Sequence, residues 1–149
     1  MANPEFQSPR LKERAMADEA WMKAMLHSAP FGSLGLAHEN QPYVKPTLFV
    51  YDEPHQVIYF HGALEGRTRT MIEQNPGVCF TVSQLGRLLP AASAMEFGIE
   101  YSSVMVFGQV SIVEGETART GLQLLLDKYF PKMKSGQDYQ PIAPEEMNI

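Results

Sequence analysis

Cysteine occurs once, as Cys79, so no disulfide can form within the chain and a stapled secreted scaffold is excluded. Long apolar runs are missing too. No strictly apolar stretch exceeds four residues, against the ~20 that a membrane-spanning helix needs. Met1 to Arg10 holds no apolar segment of signal-peptide type, which with the single cysteine points to a cytoplasmic protein. Positive charge is scarce: Lys and Arg number 12 against 17 Asp and Glu, and a net charge of −5 argues against a nucleic-acid backbone footprint. Internal repeats and low-complexity tracts are absent. What is present is ordinary globular usage, 44% apolar, 10% aromatic and 19% charged, and 149 residues suffice for one core.

The first 16 residues are polar and form an N-terminal extension in which Ser8-Pro9 is placed to cap a helical turn. A single domain is expected over 17–131, followed by a polar tail over 132–149. Apolar residues at helical spacing with Asp18 and Glu19 in the first turn predict a helix from Ala17 to His27, stopped by Ala29-Pro30. The period then changes. Strands are expected over Phe31–His38, Pro42–Tyr51 and Gln56–His61, joined by tight turns and hence antiparallel. Pro46 cannot donate to a ladder, so it marks an edge, a bulge or a parting of the sheet. A short helix is read over Ala63–Asn75 and a fourth strand over Val78–Ser83. Gln84–Ile99 reads as a long connection bordering the substrate opening, Tyr101–Val113 as a fifth strand and Glu116–Phe130 as an amphipathic helix. The class is mainly β with peripheral helices (α+β), an antiparallel closed or split barrel.

Strand alternation places Val44, Leu48 and Val50 on one face of the second strand, the expected core face. Tyr43, Lys45, Thr47, Phe49 and Tyr51 share the other, whose mixed character suits a ligand, a second subunit or both, or simply a barrel exterior. The richest stretch is His61-Gly62-Ala63-Leu64-Glu65-Gly66-Arg67-Thr68-Arg69-Thr70. It leaves a strand, passes two glycines and enters a helix, where free backbone N–H groups and guanidinium forks attract phosphate. It matches no P-loop pattern, and a strand-to-helix turn with solvated arginines is the simpler account on chemistry alone. None of the four histidines has a companion at metal-ligand spacing, so no metal site is expected. Cys79 on an apolar strand reads as a small core residue, and His61, read by itself, as structural.

Taken together, residues 42–82 (PYVKPTLFVYDEPHQVIYFHGALEGRTRTMIEQNPGVCFTV), 101–115 (YSSVMVFGQVSIVEG) and KYFP at 128–131 resemble the pyridoxamine 5'-phosphate oxidase-like flavoproteins. The opening PRLKERAM and APFGSLGLA resemble in particular the nitroimidazole-resistance (Nim) branch, and the resemblance covers about residues 9 to 146. It implies an FMN-binding split β-barrel that forms a homodimer, with each site built from both chains. It further implies that Arg67 and Thr68, supplemented by Arg69, hold the FMN phosphate. Lys45, Pro46, Thr47 and Leu48 fall on the strand passing the isoalloxazine edge, and His61, Gly62 and Ala63 beside the ribityl chain. Tyr101, Ser102 and Ser103 match the strand supplied by the partner subunit. Where many relatives carry Arg-Lys, this chain has Arg67-Thr68, one positive charge fewer.

The function implied is that of an FMN-dependent oxidoreductase taking electrons from a nicotinamide donor and passing them to a small acceptor such as a nitroaromatic or quinone. No catalytic residue is assigned beyond His61 as a candidate. The alternative keeps the fold without turnover: a flavin- or haem-binding module in which His61 is the candidate haem ligand. A deazaflavin in place of FMN also stays open.

Overall fold

Asp18 begins the first helix: its Oδ1 accepts the N–H groups of Ala20 at 2.9 Å and Trp21 at 3.3 Å. The computed structural model describes residues 9–148, so the expected cap at Ser8 lies outside the described residues. Helix α1 spans Glu19–Ser28, buries Met25 and Leu26, and ends ahead of Pro30. Strands β1 (Gly32–His38) and β2 (Gln41–Thr47) form a hairpin whose two turn residues, Glu39 (φ 47°) and Asn40 (φ 62°), adopt the left-handed conformation such a tight turn requires. β1 also pairs antiparallel with β5 (Gly77–Leu89), and β5 with β6 (Gly98–Gln109), so one sheet runs β2-β1-β5-β6. Strands β3 (Val50–Asp52) and β4 (Val57–Tyr59) pair in a separate sheet. Helices α2 (Arg67–Gln74) and α3 (Gly115–Tyr129) complete the set. Among the described residues the two sheets do not close on each other, and the architecture is a split β-barrel. No helix among them is long and apolar enough to cross a membrane.

Three expectations need correction. The strand expected over Pro42–Tyr51 is two strands in different sheets, interrupted at Leu48–Phe49. Pro46 lies in β2, an edge strand, where its missing donor costs no ladder bond. The expected faces are also reversed from Tyr43 to Phe49, whereas Val50 is buried as expected. Thr47 and Phe49 are buried and Tyr43 half-buried, while Val44 and Leu48 are 63% and 57% exposed. The interruption explains the change of parity, because Phe49 and its neighbour Val50 both turn inward. Finally, Gln84–Ile99 is not a long connection. It is the outer half of the β5–β6 hairpin, with an irregularity between Leu85 and Leu88 and a short 3₁₀ turn at Ala94–Glu96 near the tip. Arg87 and Glu100 bridge the two strands there with bonds of 2.5 and 2.8 Å.

The core forms where α1, α2 and both sheets meet. Phe49 is fully buried and packs edge-on against Phe80, ring centres 4.7 Å apart, beside Leu34 and Val82. Each such side chain contributes roughly 1.5–3 kcal/mol through burial. α3 is drawn close to β4 by Gly121: a Cβ there would stand 2.9 Å from the Tyr59 ring.

Candidate functional site

The approach to α2 leaves β4 after Tyr59 and passes through His61, Gly62 and Ala63 to Gly66. Gly66 sits at φ 113°, a conformation that glycine adopts without cost, and offers no side chain to cap the helix. The first-turn N–H groups of α2 therefore face outward without a side-chain acceptor. Opposite them, Tyr43 and Lys45 project from the same face of β2. The Arg67 guanidinium lies 5.5 Å from the centre of the Tyr43 ring. The Lys45 ammonium lies 3.5 Å from where a Cβ at Gly62 would stand, so glycine keeps that approach open. Arg69 is engaged along its own helix by Glu73 at 2.6 Å. Lys45 and Arg67 form no ion pair among the described residues. Two uncompensated cations beside an uncapped helix start form an anion-binding arrangement.

These groups stand at the polar end of a cleft of about 910 Å³, bounded by both sheets, α2 and α3. That size lies near the top of the ~300–1,000 Å³ usual for small-molecule sites. Tyr43, Tyr51, Tyr59 and Phe60 supply aromatic wall, and Ile72, Val78 and Phe80 line it from the core side. Across from them stand the chain from Val106 to Val113 and, on α3, Thr117, Ala118, Gly121, Leu122 and Leu125. Its charged residues, Lys45, Glu65, Arg67 and Arg69, all come from β2 and the approach to or first turn of α2.

Of the residues singled out in the sequence, Lys45, His61, Gly62, Ala63, Arg67, Thr68 and Arg69 line this cleft. Pro46, Thr47 and Leu48 do not: Thr47 is buried, its hydroxyl donating to the Leu48 carbonyl at 3.1 Å, and Leu48 points outward. Tyr101, Ser102 and Ser103 lie on β6, paired with Leu85, Gln84 and Ser83, also away from the cleft of their own chain. No residue of Gln84–Ile99 borders it either. Tyr43 and Tyr51, on the mixed face that suits a ligand, line it as well, whereas Tyr59, Phe60, the α3 residues and Met147 are not among the residues the sequence points to. The signal available was the aromatic character of the second and third strands; nothing in the tail marks Met147.

Several other titratable groups are engaged away from the cleft. His27 meets Glu53 at 3.0 Å, and that contact, with Lys23 at 3.4 Å, holds the Glu53 carboxyl below its ordinary range. His55 meets the buried Asp52 at 2.9 Å. Burial pushes the Cys79 thiol upward, which disfavours the nucleophilic thiolate. Groups of three or more metal-ligating side chains are absent among the described residues. A different surface stands out on the β5–β6 hairpin. Leu85 and Leu88 are each 72% exposed, and Met95, Phe97, Ile99, Tyr101 and Met105 extend the apolar row.

The sequence model described as pyridoxamine 5'-phosphate oxidase matches residues 18–149. Among solved structures, the flavocytochrome Anf3 from Azotobacter vinelandii is 26% identical with a TM-score of 0.80, covering 97% of this chain. The chain spans 66% of that protein's length. A candidate 5-nitroimidazole antibiotic resistance protein from Bacteroides thetaiotaomicron is also 26% identical, with a TM-score of 0.70 and coverage of 83% of this chain and 73% of the other. The FAD and heme binding protein from Mycobacterium smegmatis shares the fold at 18% identity and a TM-score of 0.74, covering 89% of this chain and 62% of its own. No curated protein matches the sequence.

Proposed function

The chain belongs to the pyridoxamine 5'-phosphate oxidase family, and from that premise we propose that it is a homodimeric flavoprotein that binds FMN in the cleft and reduces small acceptors. The observation that carries this reading is Arg67 at the uncapped start of α2 and Lys45 beside Gly62 on the approach to it, both lining an aromatic and largely apolar cleft. A ligand with a dianionic phosphate and a flat aromatic body fits both halves. Arg67 offers a planar fork to the phosphate, the amides of the first turn of α2 add donors, and Thr68 adds a hydroxyl. Lys45, reaching across from β2, restores the charge that Arg67-Thr68 lacks relative to the Arg-Lys of many relatives. Tyr43, Tyr51, Tyr59 and Phe60 exclude water from the ring system. Bound there, the flavin supplies hydride acceptance from a nicotinamide donor and electron delivery to a nitroaromatic or quinone.

The exposed apolar row on the hairpin is the surface a second copy would cover, and Tyr101, Ser102 and Ser103 lie on or beside it. In this reading those three residues, which miss the cleft of their own chain, complete the cleft of the partner. The absorption spectrum of the purified protein tests the proposal: the two-banded spectrum of oxidised flavin, releasing FMN on denaturation, is expected. A colourless protein that takes up no FMN contradicts it.

A second reading, a flavin- or haem-binding module without turnover, is favoured by the likeness to a flavocytochrome, Anf3 from Azotobacter vinelandii. His61, on the wall of the cleft, is then the ligand to the haem iron. A Soret band that His61→Ala abolishes supports this reading, and its absence supports the first.

A further inference from the structure

The segment after α3 is tied down at several points. Asp138 accepts the Lys134 N–H at 2.8 Å, Gly136 N–H donates to the Tyr139 carbonyl at 2.8 Å, and the Tyr139 hydroxyl meets Gln123 of α3 at 2.9 Å. Farther on, a 3₁₀ turn over Pro144–Asn148 is closed reciprocally. The Glu146 carboxylate accepts the Ala143 N–H at 2.7 Å, and the Glu146 N–H donates to the Ala143 carbonyl at 3.0 Å. These ties deliver Met147, half-buried, to the cleft, which it lines together with Thr117, Ala118, Gly121 and Leu122 of α3. No charged side chain of α3 reaches the cleft, so this end differs chemically from the end where Lys45 and Arg67 stand.

We propose that Met147 is a specificity-determining residue: carried by the C-terminal segment, it walls the apolar end of the cleft and limits the size of the uncharged aromatic acceptor that enters. An unbranched thioether suits this place, because it adapts its shape to a flat partner without presenting charge or a hydrogen-bond donor. The acceptor assay rests on the flavin reading above, whereas the wall itself is a property of this chain alone.

The test measures reoxidation of the dithionite-reduced holoprotein by p-benzoquinone and by 9,10-phenanthrenequinone, each taking two electrons and two protons to its hydroquinone. Removing side-chain volume, Met147→Ala raises the phenanthrenequinone-to-benzoquinone rate ratio about tenfold, and Met147→Trp lowers it, as expected for a few methylene-sized groups at a pocket wall. A ratio unchanged in both variants overturns the proposal. A second measurement needs no flavin: oxidation of Met147 by hydrogen peroxide, followed by mass spectrometry, with and without menadione. Met147 is expected to be protected by menadione while Met133, 43% exposed and outside the cleft, is not. Protection in a protein that holds no flavin sustains the Met147 assignment and removes the flavin reading. Equal oxidation of Met147 with and without menadione overturns the assignment.

Discussion

The hydroxyl of Tyr129, at the end of α3, meets both backbone polar atoms of Phe49: it accepts the Phe49 N–H at 3.1 Å and lies 3.0 Å from the Phe49 carbonyl. Its one proton is shared between that carbonyl and the carbonyl of Pro30 at 2.8 Å. Phe49 stands at the interruption between β2 and β3, where the ladder ends and its amide has no strand partner. The tyrosine thus replaces the ladder at the point where the barrel parts, and joins α3 to both sheets.

Tyr129→Phe leaves the Phe49 N–H, on a fully buried residue, without its acceptor. An unsatisfied buried group costs about 1–3 kcal/mol, so the urea midpoint should fall and the melting temperature drop by several degrees. An unchanged midpoint would show that the hydroxyl is dispensable there.

Lys128, next to that tyrosine, places its ammonium 3.7 Å from the centre of the Phe49 ring and 5.5 Å from that of Tyr129, buried and without a hydrogen-bond partner. Burial lowers its pKa from the ordinary 10.5 to about 8. The folded state therefore holds the proton less tightly than the unfolded chain. The resulting penalty is complete below about pH 8 and is relieved as pH rises from there toward 10.5. Lys128→Met should be more stable than the parent at pH 7, and the difference should shrink at pH 10. Urea titrations of both proteins at the two pH values check this; an equal difference at both would contradict it.

Much of this architecture is written in local sequence. Asp18 and Pro30 bracket α1, and Glu39-Asn40-Gln41 reads as a tight turn, of which Gln41 already belongs to β2. His61 to Arg67 already has the strand-glycine-helix order of an anion site. What escaped was set by long-range packing. The faces of β2 depart from simple alternation because parity changes by one between Phe49 and Val50, and because half-buried Tyr43 and Lys45 line the cleft. The outer hairpin has the sequence character of a loop because the irregularity between Leu85 and Leu88 breaks the alternation that marks a strand. Met147 follows only from the path of the tail along α3.

The hairpin leads to an oligomeric prediction. Leu85 and Leu88, each 72% exposed, are too apolar to remain in water together with their neighbours. Light scattering should find the parent dimeric at micromolar concentration. Leu85→Glu with Leu88→Glu should yield a folded monomer, by circular dichroism, that binds FMN more weakly. A monomeric parent would refute the shared-site arrangement.

In the proposed function, Arg67 holds the phosphate of the flavin. Hydrogen bonds to charged groups are worth about 1.5–3 kcal/mol, so Arg67→Ala should weaken FMN binding roughly ten- to a hundredfold. Arg67→Lys should recover only part of the loss, since it restores charge without the planar fork. Riboflavin, which lacks the phosphate, serves as the internal control. The decisive measurement is a fluorescence titration of parent and Arg67→Ala with both ligands. A large loss for FMN and near-equal riboflavin affinities are expected; FMN bound as tightly by Arg67→Ala as by the parent would place the anion site elsewhere.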